Sequence, residues 1–486
     1  MTKIQIRQDS AIDVNIMPRP EPPRPDTVLH GAAWLAGGYA GLQLFRFAAN
    51  LVLARLVAPE VFGLMALVNL LLQGVHMVSD VGITAWVLQH RRAEDPRLLD
   101  VAWTVAVVRG GLIWLATALV AWPAVVVYGE PQLLVLLPAA GFTAVLGGFN
   151  SVVMITQARR LAQARLMLIQ LIAYVASTAL AIGWVWIRPT AWALVAGSLL
   201  AYAITLFLSH VALPRHRHRW AWDRVEMANL LQFGRWVFVG TLLSFLTNQI
   251  DRLVVGAAVS VATLGVYHVA AMFAAVPGYL AQGLAGNWLL PLFGRLQDHP
   301  EQVGQLAAYY SLAVRFGWLL LAGMAATAPA AVLLLYPAAY HPAGDLVRLL
   351  AWAAWFQLLQ GFQAAGLMAA GQARRTAAAS AVKLVALVPL AGGGAYLCGL
   401  SGMVVGFVLA DLARYLFTAA RYRRLGVPGL RADLVLTVLL ALLTAAEWTA
   451  SAADPLTRLL FGGMAVTVVG GSLVAAAWVR AKAGGK

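Results

Sequence analysis

The residues that invite a chemical reading are charges embedded in apolar runs. Arg46, Arg109, Arg235, Arg315 and Lys383 each lie among Leu, Val, Ala and Phe, with no acidic residue at the three- or four-residue spacing that pairs side chains on a helix. A charge at the bilayer centre costs about 2.5–3.5 kcal/mol, so five turned toward lipid would cost on the order of 12–18 kcal/mol. They are expected to face protein or water instead. One reading makes them a cationic lining for an anionic head group, because a guanidinium grips acceptor oxygens bidentately and keeps its charge at any cellular pH. The structural alternative has each bonding backbone carbonyls or Asp80, or reaching toward the nearer surface, as Arg235 and Lys383 are placed to do.

The deep acids are few: Asp80, Asp251 and Asp411. Asp411 precedes Arg414 by three residues and Asp345 precedes Arg348 by three, so both read as local structural pairs. Asp80 has no lysine or arginine at that spacing. It either neutralises an arginine of the first half of the chain or binds a coupling proton or cation. Asp251 and Arg252 are adjacent, hence about 100° apart on a helix and not a mutual pair. With Asn248 and Gln249 they make a polar helix end near the outer face, either a gate contact between two halves or an interfacial cap.

Other signals are weaker. His210, His216 and His218 invite a metal reading, but neighbouring Arg215, Arg217 and Arg219 compete with a cation, so the segment reads as a solvated basic loop touching anionic lipid. Trp220 and Trp222 suit that interface. Pro138, Pro277 and Pro389 fall within helical runs and should kink them. The aromatics from Trp352 to Phe362 read as packing, with sugar stacking as the alternative. No Gly-x-x-x-x-Gly-Lys-Ser/Thr loop and no His-Glu-x-x-His pair occurs, which argues against ATP binding and against hydrolysis. The lone Cys398 excludes an intrachain disulfide.

What must position these groups is a bundle of membrane-spanning helices. Of 486 residues, 61% are hydrophobic and 11% charged, too few charges to cover a water-soluble chain of this length. Runs long enough to span fall near 30–56, 61–88, 100–127, 132–156, 161–187, 190–213, 229–257, 262–290, 305–336, 343–370, 376–399, 401–420, 431–449 and 456–480, about fourteen helices, with 390–412 nearly continuous. The expected class is an all-α integral membrane protein. The net charge of +15 sits mainly in alternate loops, so the basic turns at 91–97, 159–165, 215–224 and 421–431 are expected to be cytoplasmic, with both termini. In a membrane chain this excess sets orientation and does not imply nucleic acid. Residues 1–29 are polar and proline-rich and read as a cytoplasmic tail.

The chain also repeats itself. Gln157-Ala158-Arg159-Arg160 returns as Gln372-Ala373-Arg374-Arg375, 215 residues on. Leu51–Leu64 resembles Leu253–Val266 at an offset of 202. A duplicated six-helix unit gives two parallel, pseudo-symmetric lobes around a central cavity. The expected organisation is an N-lobe at 30–213, a basic loop at 214–228, a C-lobe at 229–425, and two further helices with a short cytoplasmic end at 426–486.

Several of these segments carry a family resemblance. The first-hairpin stretch Leu53-Ala54-Arg55-Leu56-Val57-Ala58-Pro59-Glu60-Val61-Phe62-Gly63-Leu64 is similar to the polysaccharide-transporter (oligosaccharide flippase, Wzx-like) branch of the multidrug/oligosaccharidyl-lipid/polysaccharide (MOP) exporter superfamily. So are Asn248–Gly256, the following Leu264-Gly265-Val266-Tyr267 and the Gln-Ala-Arg-Arg turns. The resemblance spans roughly 30–425. It implies a transporter without enzymatic activity, working by alternating access in the bacterial inner membrane. Its cargo would be undecaprenyl-pyrophosphate-linked oligosaccharide for exopolysaccharide, O-antigen (lipopolysaccharide) or capsule assembly, with the prenyl tail left among membrane lipids and a polysaccharide polymerase as a further partner. No cofactor is expected; a proton or sodium gradient would supply the energy. On that reading Arg46, Arg109, Arg235, Arg315 and Lys383 bind the substrate, while Asp80, Asn248, Asp251 and Arg252 couple or gate. The alternatives are a multidrug or lipid II exporter of the same fold, and a membrane glycosyltransferase or polymerase, which would need a large loop bearing carboxylates.

Overall fold

The computed structural model describes residues 41–42, 45–79, 82–89, 95–159, 163–214, 216–284, 289, 293, 303–425 and 430–449, with isolated positions between 463 and 474. The chain divides into two units, Met1–Arg46 and Phe47–Lys486. The expected tail and Asp80 lie outside the described residues, as do the side chains of Arg235 and Pro277.

Among the described residues the chain is helical throughout. In the second unit a first helix ends at residue 56, here α1. It is followed by α2 (Pro59–Val78), α3 (Ile83–Gln89), α4 (Pro96–Tyr128), α5 (Leu133–Gly148), α6 (Val153–Arg159), α7 (Gln163–Ile187) and α8 (Ala191–Val211). Then come α9 (Arg224–Ala258), α10 (Val261–Leu284), α11 (Val303–Leu335), α12 (Ala343–Ala369), α13 (Ala373–Tyr422) and α14 (Leu430–Thr449). Local chemistry sets these bounds. Pro59 opens α2 where its missing N–H costs nothing, and Glu60 complements the helix dipole. Asp95 caps α4 by accepting from the Arg97 N–H, and left-handed Gly129 ends it. Asp223 caps α9 through the Val225 and Glu226 N–H groups, so 224–228 are helix and not loop.

Two long apolar runs prove to be broken. Residues 61–88 divide at Gly82, whose φ of 66° favours glycine, and 132–156 divide between Gly148 and Val153. The nearly continuous stretch at 390–412 is a tight hairpin inside α13. The chain leaves helical geometry at Cys398 and Gly399, the latter at φ 60°. Gly394 and Gly402 face each other there so closely that a Cβ on either would collide with the other's carbonyl. Pro138 and Pro389 lie inside helices as expected, and so do Pro123 and Pro329.

Six described helices are long and apolar enough to cross a membrane: α2, α4, α7, α8, α11 and α13. Their outward faces carry large apolar groups, such as Leu119 at 77% exposure and Ile187 at 82%, as lipid contact requires and water would not tolerate. The chain is a multi-pass membrane protein. Helices α9 and α12 fall short because they are more polar. Helix α12 lies at the centre of the second half, packed against α10, α11 and α13, and most of its length is buried.

Helices α4, α5, α7 and α8 pack together in the first half, and α10 to α13 in the second. The halves meet principally where α2 lies along α10. A Cβ on Gly63 would collide with the Val261 carbonyl, and one on Gly265 with the Pro59 carbonyl. These two contacts exchange under the 202-residue offset of the sequence repeat, so the duplicated segments meet each other across a local two-fold relation. Beside them, the Tyr340 hydroxyl donates to the Val57 carbonyl at 3.1 Å and Arg55 Nε to the Leu335 carbonyl at 2.9 Å.

Helix α14 is tied to the second half through a buried carboxylate that sequence reasoning passed over. Asp433 accepts from Gln363 Nε2 at 2.9 Å and from the Tyr310 and Tyr415 hydroxyls at 3.3 Å. Trp318 and Trp355 add bonds to the Leu436 carbonyl and the Thr437 hydroxyl. Replacing Asp433 by Leu strands three donors, at about 1–3 kcal/mol for each left unsatisfied. We expect a clear drop in thermal unfolding temperature for Asp433→Leu and a much smaller one for Asp433→Asn.

The loop between α8 and α9 differs from its expectation. His216 and His218 are half-buried, not solvated. The His218 ring stacks on Trp103 at 5.3 Å between centroids, and its neighbour Trp220 meets the same indole edge-on. Burial, followed by the nearby His216 and His210, pulls the His218 pKa down to about 4, against a smaller upward pull from Asp100.

Candidate functional site

Polar side chains from Gln73 to Asp411 meet in one cavity of about 290 Å³. Helix α2 contributes Gln73, α9 contributes Asn248, Gln249, Asp251 and Arg252, and α10 contributes Tyr267. Gln357 comes from α12, and Lys383 and Asp411 from the two limbs of α13. Each of these residues interrupts an otherwise apolar run. Burying them separately in lipid would be costly, and together several of them pair with one another. Phe245, Leu350, Leu387 and Phe407 complete the walls.

The strongest contact is an ion pair, Lys383 Nζ to Asp411 Oδ1 at 2.8 Å, with side chains 5% and 2% exposed. The hairpin in α13 creates it by folding residue 411 back beside residue 383. The second oxygen of Asp411 accepts from Gln357 Nε2 at 2.9 Å. Opposite, Tyr267 donates to Asp251 Oδ2 at 2.8 Å, while Asp251 Oδ1 is buried with no hydrogen-bond partner. Arg252 donates to Gln249 Oε1 at 3.0 Å. The cavity therefore holds two cations and two carboxylates.

This arrangement revises several expectations. Asp411 pairs with Lys383 and not with Arg414, whose guanidinium reaches Ser380 Oγ at 3.3 Å. A long-range partner outcompetes the local one because the hairpin brings it within 3 Å in a dry setting. Arg348 keeps its expected partner Asp345, at 3.5 Å. Asn248, Asp251 and Arg252 do not form a helix end. Helix α9 continues to Ala258, which places them on the cavity wall.

Among the described side chains, only Lys383 of the five buried-base candidates lines this cavity. Arg109 donates to the Ser79 and His76 carbonyls at 2.8 and 2.9 Å, closing the end of α2. Arg315 is half-buried on α11, Arg46 is exposed in the first unit, and the Arg235 side chain lies outside the described residues. Sequence reasoning did not single out Gln73, Tyr267 and Gln357. The two glutamines in apolar helices carried the same signal as the charges, at lower cost per residue.

Comparison with known proteins agrees with this architecture. A family model described as polysaccharide biosynthesis protein matches residues 52–345. The succinoglycan biosynthesis transport protein ExoT of Rhizobium meliloti (strain 1021) is 22% identical over 329 residues, covering 67% of this chain and 66% of that one, just under two thirds of the relative's length. Among solved structures, the lipid II flippase MurJ in an inward closed conformation superposes with a TM-score of 0.67 at 13% identity, over 92% of this chain and all of that one. An inward-facing multidrug resistance MATE transporter of the MOP superfamily gives 0.61 at 16% identity, over 78% and 94%. The helical transporter fold shared with MurJ and MATE proteins and a family match across well over half the sequence lead to one assignment: the chain belongs to the polysaccharide biosynthesis protein family.

Proposed function

We propose that this protein is a flippase that moves undecaprenyl-pyrophosphate-linked oligosaccharide units across the bacterial inner membrane by alternating access, for envelope-polysaccharide assembly. The observation that carries the reading is the polar cavity inside an apolar bundle, walled by α2 from one half and by α9, α10, α12 and α13 from the other. A site walled by both halves changes its access when they rock against each other. The excess of Lys and Arg in alternate turns supports a cytoplasmic position for both termini on this reading. At about 290 Å³ the cavity holds a head group and not a whole oligosaccharide. The prenyl tail stays in lipid, and further sugars need the halves to part.

The ion pair also supplies a means of energy coupling. An incoming pyrophosphate competes with Asp411 for Lys383. Once displaced, Asp411 is a buried carboxylate without its cation, a state that a proton or a sodium ion relieves. Substrate entry and cation entry are thereby linked at one residue. Lipid II and cationic drugs are the competing cargoes on this fold.

The test is reconstitution. Proteoliposomes carrying a fluorescent undecaprenyl-pyrophosphate oligosaccharide in one leaflet should show movement faster than in protein-free vesicles and dependent on an imposed proton or sodium gradient. Lipid II and a cationic dye serve as comparison cargoes. Equal rates with and without protein, or movement of the comparison cargoes alone, would overturn the reading.

A further inference from the structure

A second constellation lies away from the cavity, where the loop joining α8 to α9 crosses the start of α4. One potential ligand atom from each of Asp100, His216 and His218 lies within 4.8 Å of the others. His216 Nε2 is 2.9 Å from Asp100 Oδ1. His218 Nε2 is 3.0 Å from Ser151 Oγ, while its Nδ1 is buried with no hydrogen-bond partner. The Arg219 backbone N–H also donates to Asp100 Oδ1 at 3.2 Å, and the Ala221 N–H to Thr104 Oγ1 at 3.1 Å. These contacts fix the loop on α4 and set the rings in place.

We propose that Asp100, His216 and His218 form a binding site for a divalent transition metal of the zinc type, which fastens the linker between the two halves to α4. Two imidazoles and a carboxylate suit zinc, nickel or copper better than calcium or magnesium, which favour oxygen ligands. With bonds of about 2.0 Å, a tetrahedral metal has ligand–ligand edges of about 3.3 Å. The His216–Asp100 edge is 2.9 Å and all three edges lie within 4.8 Å, so closing onto one ion shortens the longer edges by at most about 1.5 Å. A metal-bound histidine usually donates its other ring N–H to a neighbour that orients it. His218 has that form: Nδ1 unpartnered, Nε2 on Ser151, and the ring face held by Trp103. Two of the neighbouring arginines leave the site open, and Arg215 lies outside the described residues. Arg217 and Arg219 are exposed, and Arg219 offers Asp100 only its backbone.

The experiment uses the full chain in nanodiscs with a purification tag free of histidine, stripped by a chelator and titrated with zinc chloride. A single zinc per chain is expected. Asp100→Asn, His216→Gln and His218→Gln should each weaken binding at least tenfold, and Ser151→Ala, which removes only the orienting partner, by roughly tenfold. His341→Gln should bind as the parent does. Cobalt(II) in place of zinc should give the strong visible bands of tetrahedral coordination, and these should vanish in His216→Gln while persisting with altered intensity in Ser151→Ala. That mild change keeps the test decisive should a ligand variant fold poorly. Absence of zinc binding by the parent, or binding indifferent to all three ligand replacements, would overturn the proposal and leave a simple His216–Asp100 hydrogen bond.

Discussion

Asp411→Leu and Lys383→Met, each alone, should destabilise the protein by about 3–5 kcal/mol, because either strands a buried charge whose partner lay 2.8 Å away. The double replacement should recover most of that loss, since a well-packed apolar pair avoids the desolvation cost of two ions. Thermal unfolding of the two single variants and the double variant yields the coupling between the residues directly. Transport should separate from stability: the double variant folds, yet neither holds a head group nor responds to a cation gradient. Asp411→Asn is the finer probe. It keeps an acceptor for Gln357 Nε2 but cannot be displaced as an anion, so it should lose gradient dependence before it loses folding. A stable double variant that still transports at the parent rate would reduce the pair to a structural bond and remove the coupling scheme with it. Losses in the two single variants that simply add in the double would show that the two residues do not interact.

How far the sequence revealed this site depended on whether a partner was local or distant. Helix number, the apolar spans and the duplication are properties of runs and periods, so they were legible; that the repeated segments meet, Gly63 against Gly265, was not. The Arg348–Asp345 pair was legible because its partners share a helix. Asp411 was misassigned for the same reason. Arg414 at three residues is the visible neighbour; the split into two helices near residue 400 was legible, but not the register that folds residue 411 back beside residue 383. The break at Gly82, by contrast, depends on one backbone angle inside a run that reads as continuous, 61–88. Charges stand out in an apolar run because their burial is costly. Neutral groups such as Gln73, Gln357 and Tyr267 complete the cavity yet stand out less on that scale. Asp433 was passed over because it sits at the start of its helix, where an acid usually serves the dipole; here it is buried beneath two tyrosines and a glutamine.

Valine at Gly63 or at Gly265 should force α2 away from α10, because the atom each new side chain meets is a backbone carbonyl that cannot rotate aside. Overpacking of this kind costs about 1–3 kcal/mol, and the rigid obstacle puts these sites at the upper end. If the seam closes one side of the transporter in this state and parts in the other, the cost falls on the closed state alone. A bias of about 2 kcal/mol then shifts the ratio of the two states some thirtyfold toward the parted one. Leu264 is buried beside the contact and reports on it. With Cys398 first replaced by Ser, since that native thiol is exposed, maleimide should label Leu264→Cys slowly in the parent and at least tenfold faster once Gly63→Val is added. The contact is reciprocal, so either valine should act to a similar degree. The second should add little to the first, because helices already parted no longer collide. Unchanged labelling together with a lowered unfolding temperature would make the seam a static packing contact, and the proposed alternation of access would then have to hinge elsewhere than on the duplicated glycines.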